Sequence, residues 1–312
     1  MVQAGARAER AQRIAALAFD YAAQPAGAVD RCNLCGATRF VTLTHRDRYG
    51  YPARAVACAA CGLVFLSPRM TAEAYADFYV RTYRPLVSAF HGRVIDARTI
   101  QAEQRVYAEE RGDFLAPFLE GRGARTLLDV GGSTGVVAHA LAARFGLEAT
   151  LIDPAPLEIA EARRLGLETI AGLVEAHDFG DRRFDVVVLC QTIDHLLDAS
   201  GTLGRLRDIL APGGLFFVDI VDFRAACLRA WSVEAAVKVD HPYAFIEPVM
   251  AALLARTGFD VLRMEYAADH LHVGYVCRPV APVRDALPAP SAVDAFLREL
   301  RYVQNAPRPG RE

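Results

Sequence analysis

Apolar positions change their period several times along the chain, and those changes mark out the elements. Thr126 to Val130 is a short, nearly continuous apolar run containing Asp129, the pattern of a strand buried on both faces. Gly131, Gly132 and Gly135 follow, and Val136 to Phe145 resumes with helical spacing before Gly146, a stop signal. The alternation then repeats. Ala149 to Asp153 and Phe184 to Cys190 read as strands, Leu203 to Leu210 as a helix, and Ala211-Pro-Gly-Gly to Asp219 as a turn into another strand. Strand and helix in alternation predict an α/β core with a mostly parallel sheet.

Upstream the pattern is different. Ala6 to Ala22 is predicted as one helix, ended by Pro25 and Gly27; Arg39–Thr44 and Ala53–Ala57 are predicted as strands around a Tyr-Gly turn. Thr71 to Val80 is predicted as a helix with Thr71 as N-cap and Glu73 in its first turn, both favourable at a helix start. Val94 to Leu119 reads as a long helical stretch, expected to break near Gly112 and again at Pro117. Beyond Arg278 the chain is Pro-rich with one short helix, Ala292–Val303, and the end from Pro307 is expected to be disordered. The expected organisation is therefore a helical extension (1–29), a four-cysteine module (30–70), a helical linker over the site (71–122), the α/β core (123–280) and a tail (281–312).

Composition bounds the function classes. The chain has 312 residues, 53% hydrophobic, and a formal net charge of −2. A near-neutral molecule offers no general attraction to nucleic acid or anionic lipid. No apolar run reaches the length of a membrane span, and the apolar stretch after Arg13 is too short for a signal peptide, so a cytoplasmic protein is expected. Lys238 is the only lysine, a bias read at this level as composition rather than function.

Cys32-Asn-Leu-Cys35-Gly36 and Cys58-Ala-Ala-Cys61-Gly62 are two C-x-x-C-G knuckles with 22 residues between them. Each knuckle supplies two thiolates, and four thiolates satisfy a tetrahedral zinc ion. The spacing predicts a zinc ribbon, and a closed set of four cysteines predicts a structural ion rather than a catalytic one.

The glycine loop carries the chemistry. A dinucleotide fingerprint needs G-x-G-x-x-G, and starting from Gly131 or Gly132 its later glycines fall on Ser133 and Val136 or on Thr134 and Val137. Instead Asp129-Val-Gly-Gly-Ser-Thr-Gly135 resembles motif I of the class I S-adenosylmethionine (SAM)-dependent methyltransferases, with Ser133 in place of the middle glycine. Asp153 ends the next strand, where a carboxylate can accept the hydroxyls of a ribose. The Leu210-Ala-Pro-Gly-Gly214 segment is also similar to that family. The resemblance implies a Rossmann-like fold with a mostly parallel, seven-stranded sheet and SAM as cofactor, held by Asp129, Gly131, Gly132, Ser133, Gly135 and Asp153, with Val174 and Gln191 beside it.

A second resemblance concerns the acceptor. The run from Cys61-Gly-Leu-Val-Phe-Leu to Tyr79 and Tyr83, following a four-cysteine ribbon, resembles methyltransferases of bacterial carbohydrate pathways. It implies that Tyr83 or Tyr79 reaches the acceptor. Asp240-His241-Pro-Tyr-Ala-Phe245 is similar to a segment of the same group in which an acid–histidine pair faces the acceptor, and His195 matches a further histidine there. Histidine suits proton removal near neutral pH; His241, oriented by Asp240 or another carboxylate, is the expected base. The chain ends before the extra C-terminal domain of the sugar C-methyltransferases, so O-methylation of a sugar or glycan is the favoured expectation. C- or N-methylation of a nucleotide-linked sugar is the alternative, and so is RNA methylation with the ribbon as RNA reader. The ribbon's modest basic excess and lack of interleaved aromatics argue against RNA.

Overall fold

The computed structural model describes residues 2–307, so the expectation for the last residues falls mostly outside it. The N-terminal third begins with α1 (Val2–Ala15) and β1 (Ala26–Gly27). The helix ends seven residues before the predicted Ala22. Ala18 turns into the left-handed region (φ 52°), and the chain leaves the helix to set Phe19 and Tyr21 against Tyr51.

The ribbon strands are β2 (Phe40–Thr44), β3 (Ala55–Cys58) and β4 (Val64–Leu66), all antiparallel; β5 (Arg69–Met70) pairs with β1. Three helices follow: α2 (Ala72–Arg81), α3 (Tyr83–His91) and α4 (Ala97–Leu119). The Thr71 hydroxyl accepts the Ala74 N–H, the N-cap that the sequence predicts. No break interrupts α4. Gly112 sits where a side chain would run into Arg144 at 2.9 Å, so its small size serves close packing on the next helix. Pro117 falls in the last turn, where few intrahelical bonds remain to be lost.

The core follows: β6 (Thr126–Val130), α5 (Val136–Phe145), β7 (Glu148–Asp153), α6 (Pro156–Arg164), β8 (Glu168–Ala171) and β9 (Phe184–Leu189), with α6 and β8 falling between the elements that the sequence pattern marks. Then come α7 (Ala199–Asp208), β10 (Leu210–Val221), α8 (Phe223–Ala230), β11 (Tyr243–Ala244), α9 (Glu247–Thr257), β12 (Phe259–Tyr266), β13 (His272–Pro279) and α10 (Pro290–Asn305). The seven-stranded sheet has the order β12-β13-β10-β9-β6-β7-β8. Five strands from β10 to β8 are parallel, and β13 enters antiparallel between β12 and β10. The order reverses between β6 and β9, which makes the crevice at their carboxyl ends the expected ligand position.

The ribbon is built into this core. β11, from the segment after β10, pairs antiparallel with β4 and becomes the fourth strand of the ribbon sheet. Buried side chains of the two parts form one continuous hydrophobic cluster. Among the described residues no helix is long and apolar enough to cross a membrane.

Candidate active site

A cavity of about 460 Å³ opens at the carboxyl ends of β6, β7 and β9, roofed by α2 and α3. Its two halves come from different parts of the chain. Gly131, Ser133, Asp153, Val174, Gln191 and Glu158 line one side. Tyr79, Tyr83, Asp194, His195, Lys238 and His241 line the other.

On the first side the backbone bends sharply. Ser133 (φ 52°) and Gln191 (φ 48°) both occupy the left-handed region, unusual for residues with side chains and typical of functional turns. Asp153 accepts the Ser133 N–H (3.0 Å) and the Ala155 N–H (2.8 Å), which fixes the carboxylate while leaving lone pairs toward the cavity. Burial pushes its pKa up to about 6, against the pull of those two N–H groups. Asp129, Gly132 and Gly135 lie behind the loop rather than on the cavity wall. A side chain at Gly132 would strike the Asp129 carboxylate at 2.4 Å, so glycine is required there for packing. Asp129 is fully buried, and the Ala138 N–H is the one backbone donor near enough to favour its charged form. Burial, followed by the nearby Asp153 charge, raises its pKa to about 7. An acid at Asp153, bare backbone at Gly131 and an apolar wall of Ile152, Pro154 and Leu173 match a nucleoside with a ribose diol.

The second side is a hydrogen-bonded array. His241 Nδ1–H meets Asp194 Oδ2 at 2.6 Å, so Asp194 is the carboxylate that orients this ring. Asp240 stands on the other side, with Oδ2 3.3 Å from His241 Nε2. The Tyr79 hydroxyl donates to the Asp240 carbonyl (2.9 Å) and lies 2.7 Å from His195 Nδ1. A hydroxyl has one proton to give, so Nδ1 of His195 carries the hydrogen of that contact. The two imidazoles pack edge to face, 4.5 Å between centroids. Tyr83 is in the same cavity, but its ring stays 6.4 Å from His195; Tyr79, the other tyrosine considered from the sequence, makes the contact. Burial, then the neighbouring His241 charge, lower the His195 pKa to about 4, so this imidazole is neutral at pH 7. Burial works against ionised Asp194, yet the charges of His241 and His195 hold its pKa well below the usual carboxylate range.

Three contributors were not assigned roles from sequence. Asp194 was visible only as the neighbour of His195. Lys238, set aside as a matter of composition, has its head in the cavity with Nζ 3.2 Å from His241 Nε2. Asp47, fully buried in the ribbon hairpin, accepts the Val239 N–H at 2.9 Å and so holds the segment bearing Lys238, Asp240 and His241.

The four cysteines come together as the spacing predicts. Cys32 and Cys61 sulfurs lie 3.5 Å apart, Cys35 and Cys58 likewise, and all four fall within 4.8 Å of one another. A tetrahedron of sulfurs about a zinc ion has edges of roughly 3.8 Å. Gly36 and Gly62 (φ 74° and 80°) close the knuckles, their N–H groups bonding the Cys32 and Cys58 carbonyls. The donor set and spacing fit a four-coordinate thiophilic metal with no open position.

The chain is similar to known methyltransferases. A ubiquinone biosynthesis O-methyltransferase of Methylocella silvestris is 35% identical over 97 residues, covering 29% of this chain and 38% of that protein. Its namesake in Cereibacter sphaeroides (strain KD131) is 31% identical over 171 residues, 50% of this chain and 68% of its own length. Among solved structures, an O-methyltransferase family protein from Burkholderia thailandensis is similar at 18% identity, covering 59% of each chain with a TM-score of 0.49. The chain spans about two fifths of the length of the first curated relatives it matches. Residues 100–264, more than half of the chain, match the family described as a methyltransferase domain. The chain belongs to that family, the class I SAM-dependent methyltransferases.

Proposed function

We propose that the protein transfers a methyl group from SAM to a hydroxyl of a small-molecule acceptor, with a carbohydrate as the acceptor class. The observation that carries this reading is that Asp153 and the His195–His241 pair line one and the same cavity. SAM supplies a methyl group already activated on a sulfonium, so the protein must chiefly position the acceptor oxygen and remove its proton. Asp153 accepts the ribose hydroxyls, and Gly131, Ser133, Val174 and Gln191 enclose the nucleoside. An imidazole of the His195–His241 pair takes the acceptor proton, with Asp194 orienting His241 and Tyr79 orienting His195. Zn2+ is held by Cys32, Cys35, Cys58 and Cys61 and serves structure.

The carbohydrate assignment rests on the sequence resemblance and on the acceptor side itself. Tyr75, Tyr79 and Tyr83 line the cavity together with ionisable groups, a mixture suited to the C–H surfaces and hydroxyls of a sugar. A second reading, a phenolic hydroxyl as acceptor, is favoured by the ubiquinone O-methyltransferase relatives. Incubation with methyl-labelled SAM and two panels, nucleotide-linked sugars and dihydroxyphenyl compounds, tests the choice. A labelled sugar methyl ether is the expected product. Label confined to the phenols transfers the assignment to the second reading.

A further inference from the structure

The array around His241 raises a question of proton placement. His241 Nδ1 is committed to Asp194 at 2.6 Å. Its Nε2 faces two groups at once, Lys238 Nζ at 3.2 Å and Asp240 Oδ2 at 3.3 Å. A neutral His241 accepts from the Lys238 ammonium through Nε2. A protonated His241 turns an N–H toward Asp240. In both states the Nε2 lone pair is occupied. His195 is different, because its Nδ1–H is used by Tyr79 while the nearest acid oxygen to Nε2, Asp194 Oδ1, stands off at 3.9 Å.

We propose that Lys238 is a positioning residue for the methyl acceptor: by engaging His241 Nε2 it closes that imidazole and leaves Nε2 of His195 as the base. The proposal rests on the methyltransferase reading above and names the residue that divides the work between its two histidines. His195 then receives the acceptor proton at Nε2 while Nδ1 keeps its bond to Tyr79. The imidazolium so formed faces Asp194, whose Oδ1 has no other partner.

The identity of the residue supports this. The chain uses arginine for every other basic position, yet a lysine stands at this one. A guanidinium is a wide fork that stays protonated, whereas an ammonium is a compact donor able to share a proton when buried. Burial lowers the Lys238 pKa, opposed by the charges of Asp240 and Asp194 and assisted by Arg48. Its one hydrogen-bond contact is His241 Nε2, and the charges that act on it come from several elements: Asp194 precedes α7, Asp240 follows it in its own segment, and the like charge of Arg48 lies on the ribbon hairpin, where the Arg48 N–H bonds the Val237 carbonyl.

A single lysine makes the test direct. Labelling the full-length protein with 13Cε-lysine gives one side-chain resonance from Lys238, and 15N-histidine labelling reports which ring nitrogens carry protons. In the wild-type protein His195 is expected as the Nδ1–H form with a bare Nε2, and His241→Gln is expected to shift the Lys238 resonance and its titration. Lys238→Met should change the His241 Nε2 signal and leave the His195 form intact. Turnover gives the second arm. His195→Ala is expected to lose about 10²- to 10⁴-fold, and adding Lys238→Met should recover at least about tenfold by releasing His241 Nε2. An Nε2–H form of His195, or a Lys238 resonance indifferent to His241→Gln, overturns the proposal even if Lys238→Met fails to fold. A double variant no more active than His195→Ala also overturns it. Wild-type protein that makes no S-adenosylhomocysteine refutes the methyltransferase reading instead, and the resonance measurements remain decisive for the contact.

Discussion

Asn33, inside the first cysteine knuckle, is bonded to the loop that follows the active-site histidine: its Nδ2 donates to Asp198 Oδ1 at 2.8 Å. The tie is doubled, because Ser200 N–H donates to Asn33 Oδ1 (2.9 Å) and Ser200 Oγ donates to the Asn33 carbonyl (2.7 Å). In the second acceptor-side segment Asp47 holds Val239, and β4 holds β11. Both segments that carry the acceptor-side groups are therefore fastened to the ribbon, while Asp153 and Ser133 hang from β6 and β7.

This division predicts separable effects. Asn33→Ala should lower acceptor turnover, roughly tenfold or more if the Asp198 loop drifts by an ångström, and leave SAM affinity nearly unchanged. Removing the metal with a chelator, or Cys58→Ser, should go further and lower thermal stability, since a ribbon without its metal loses folding free energy. Calorimetric SAM titration beside elemental analysis checks both. Equal losses of SAM affinity and turnover in Asn33→Ala would mean that the ribbon supports the whole site.

A buried ion pair anchors α4 to the core sheet. Arg111 donates through Nε and Nη2 to Asp219 Oδ2 (2.9 and 2.6 Å), Tyr107 donates to the same oxygen, and the Gln191 N–H donates to Asp219 Oδ1 at 2.7 Å. Arg111→Met leaves a carboxylate buried without its cation, which costs about 3–5 kcal/mol. Denaturant unfolding measures it. The same change should weaken SAM binding, because Gln191 takes its strained turn from this carboxylate; a stable variant with full SAM affinity would contradict the link.

Asp129 makes stability depend on pH. Its folded pKa of about 7 lies above the unfolded value of about 3.9, so the folded state keeps a proton that the unfolded chain has released. The stabilisation is complete below about pH 4 and is lost as pH rises through about 7. Asp47, raised to about 7 chiefly by burial, acts in the same direction, whereas neutral His195 acts oppositely below about pH 6.5. Unfolding free energies between pH 5 and 7 should fall with pH in the wild type and fall less in Asp129→Asn, by a slope difference of at most about 1.4 kcal/mol per pH unit. Parallel curves would refute the assignment.

Asp153 adds a pH effect on the cofactor. Its carboxyl ionises near pH 6 in the folded protein, and the ionised form is the better acceptor for ribose hydroxyls. SAM affinity should therefore weaken as pH falls below about 6 and level off above it. A flat profile from pH 5 to 8 would remove Asp153 from the ribose.

The sequence discloses the parallel core and the cofactor side well, because both are local. β6 and β9 are nearly continuous apolar runs, and Gly131 to Gly135 and Asp153 sit at the strand ends that the pattern predicts, whereas the edge strand β8, Glu-Thr-Ile-Ala, carries no such signal. The four cysteines are legible for the same reason, each knuckle being four residues long. The acceptor side is legible only in part. Asp194 is 47 residues from His241, Tyr79 is 116 from His195, and Asp47 is 192 from Val239; no periodicity connects them. The unbroken α4 was hidden for a related reason, since Gly112 answers to Arg144 on another helix and not to its own backbone. Lys238 was hidden by frequency: one lysine among many arginines looks like composition until its Nζ is found beside His241.

The central claim, one cavity with a cofactor side at Asp153 and an acceptor side at His195 and His241, is tested most directly by SAM calorimetry on two variants side by side. Asp153→Ala removes charge-assisted hydrogen bonds and should weaken SAM binding by about 1.5–3 kcal/mol. His241→Ala should bind SAM like the wild type. Equal weakening in both variants, no weakening in either, or tight NADH binding by a protein that does not bind SAM would contradict the account.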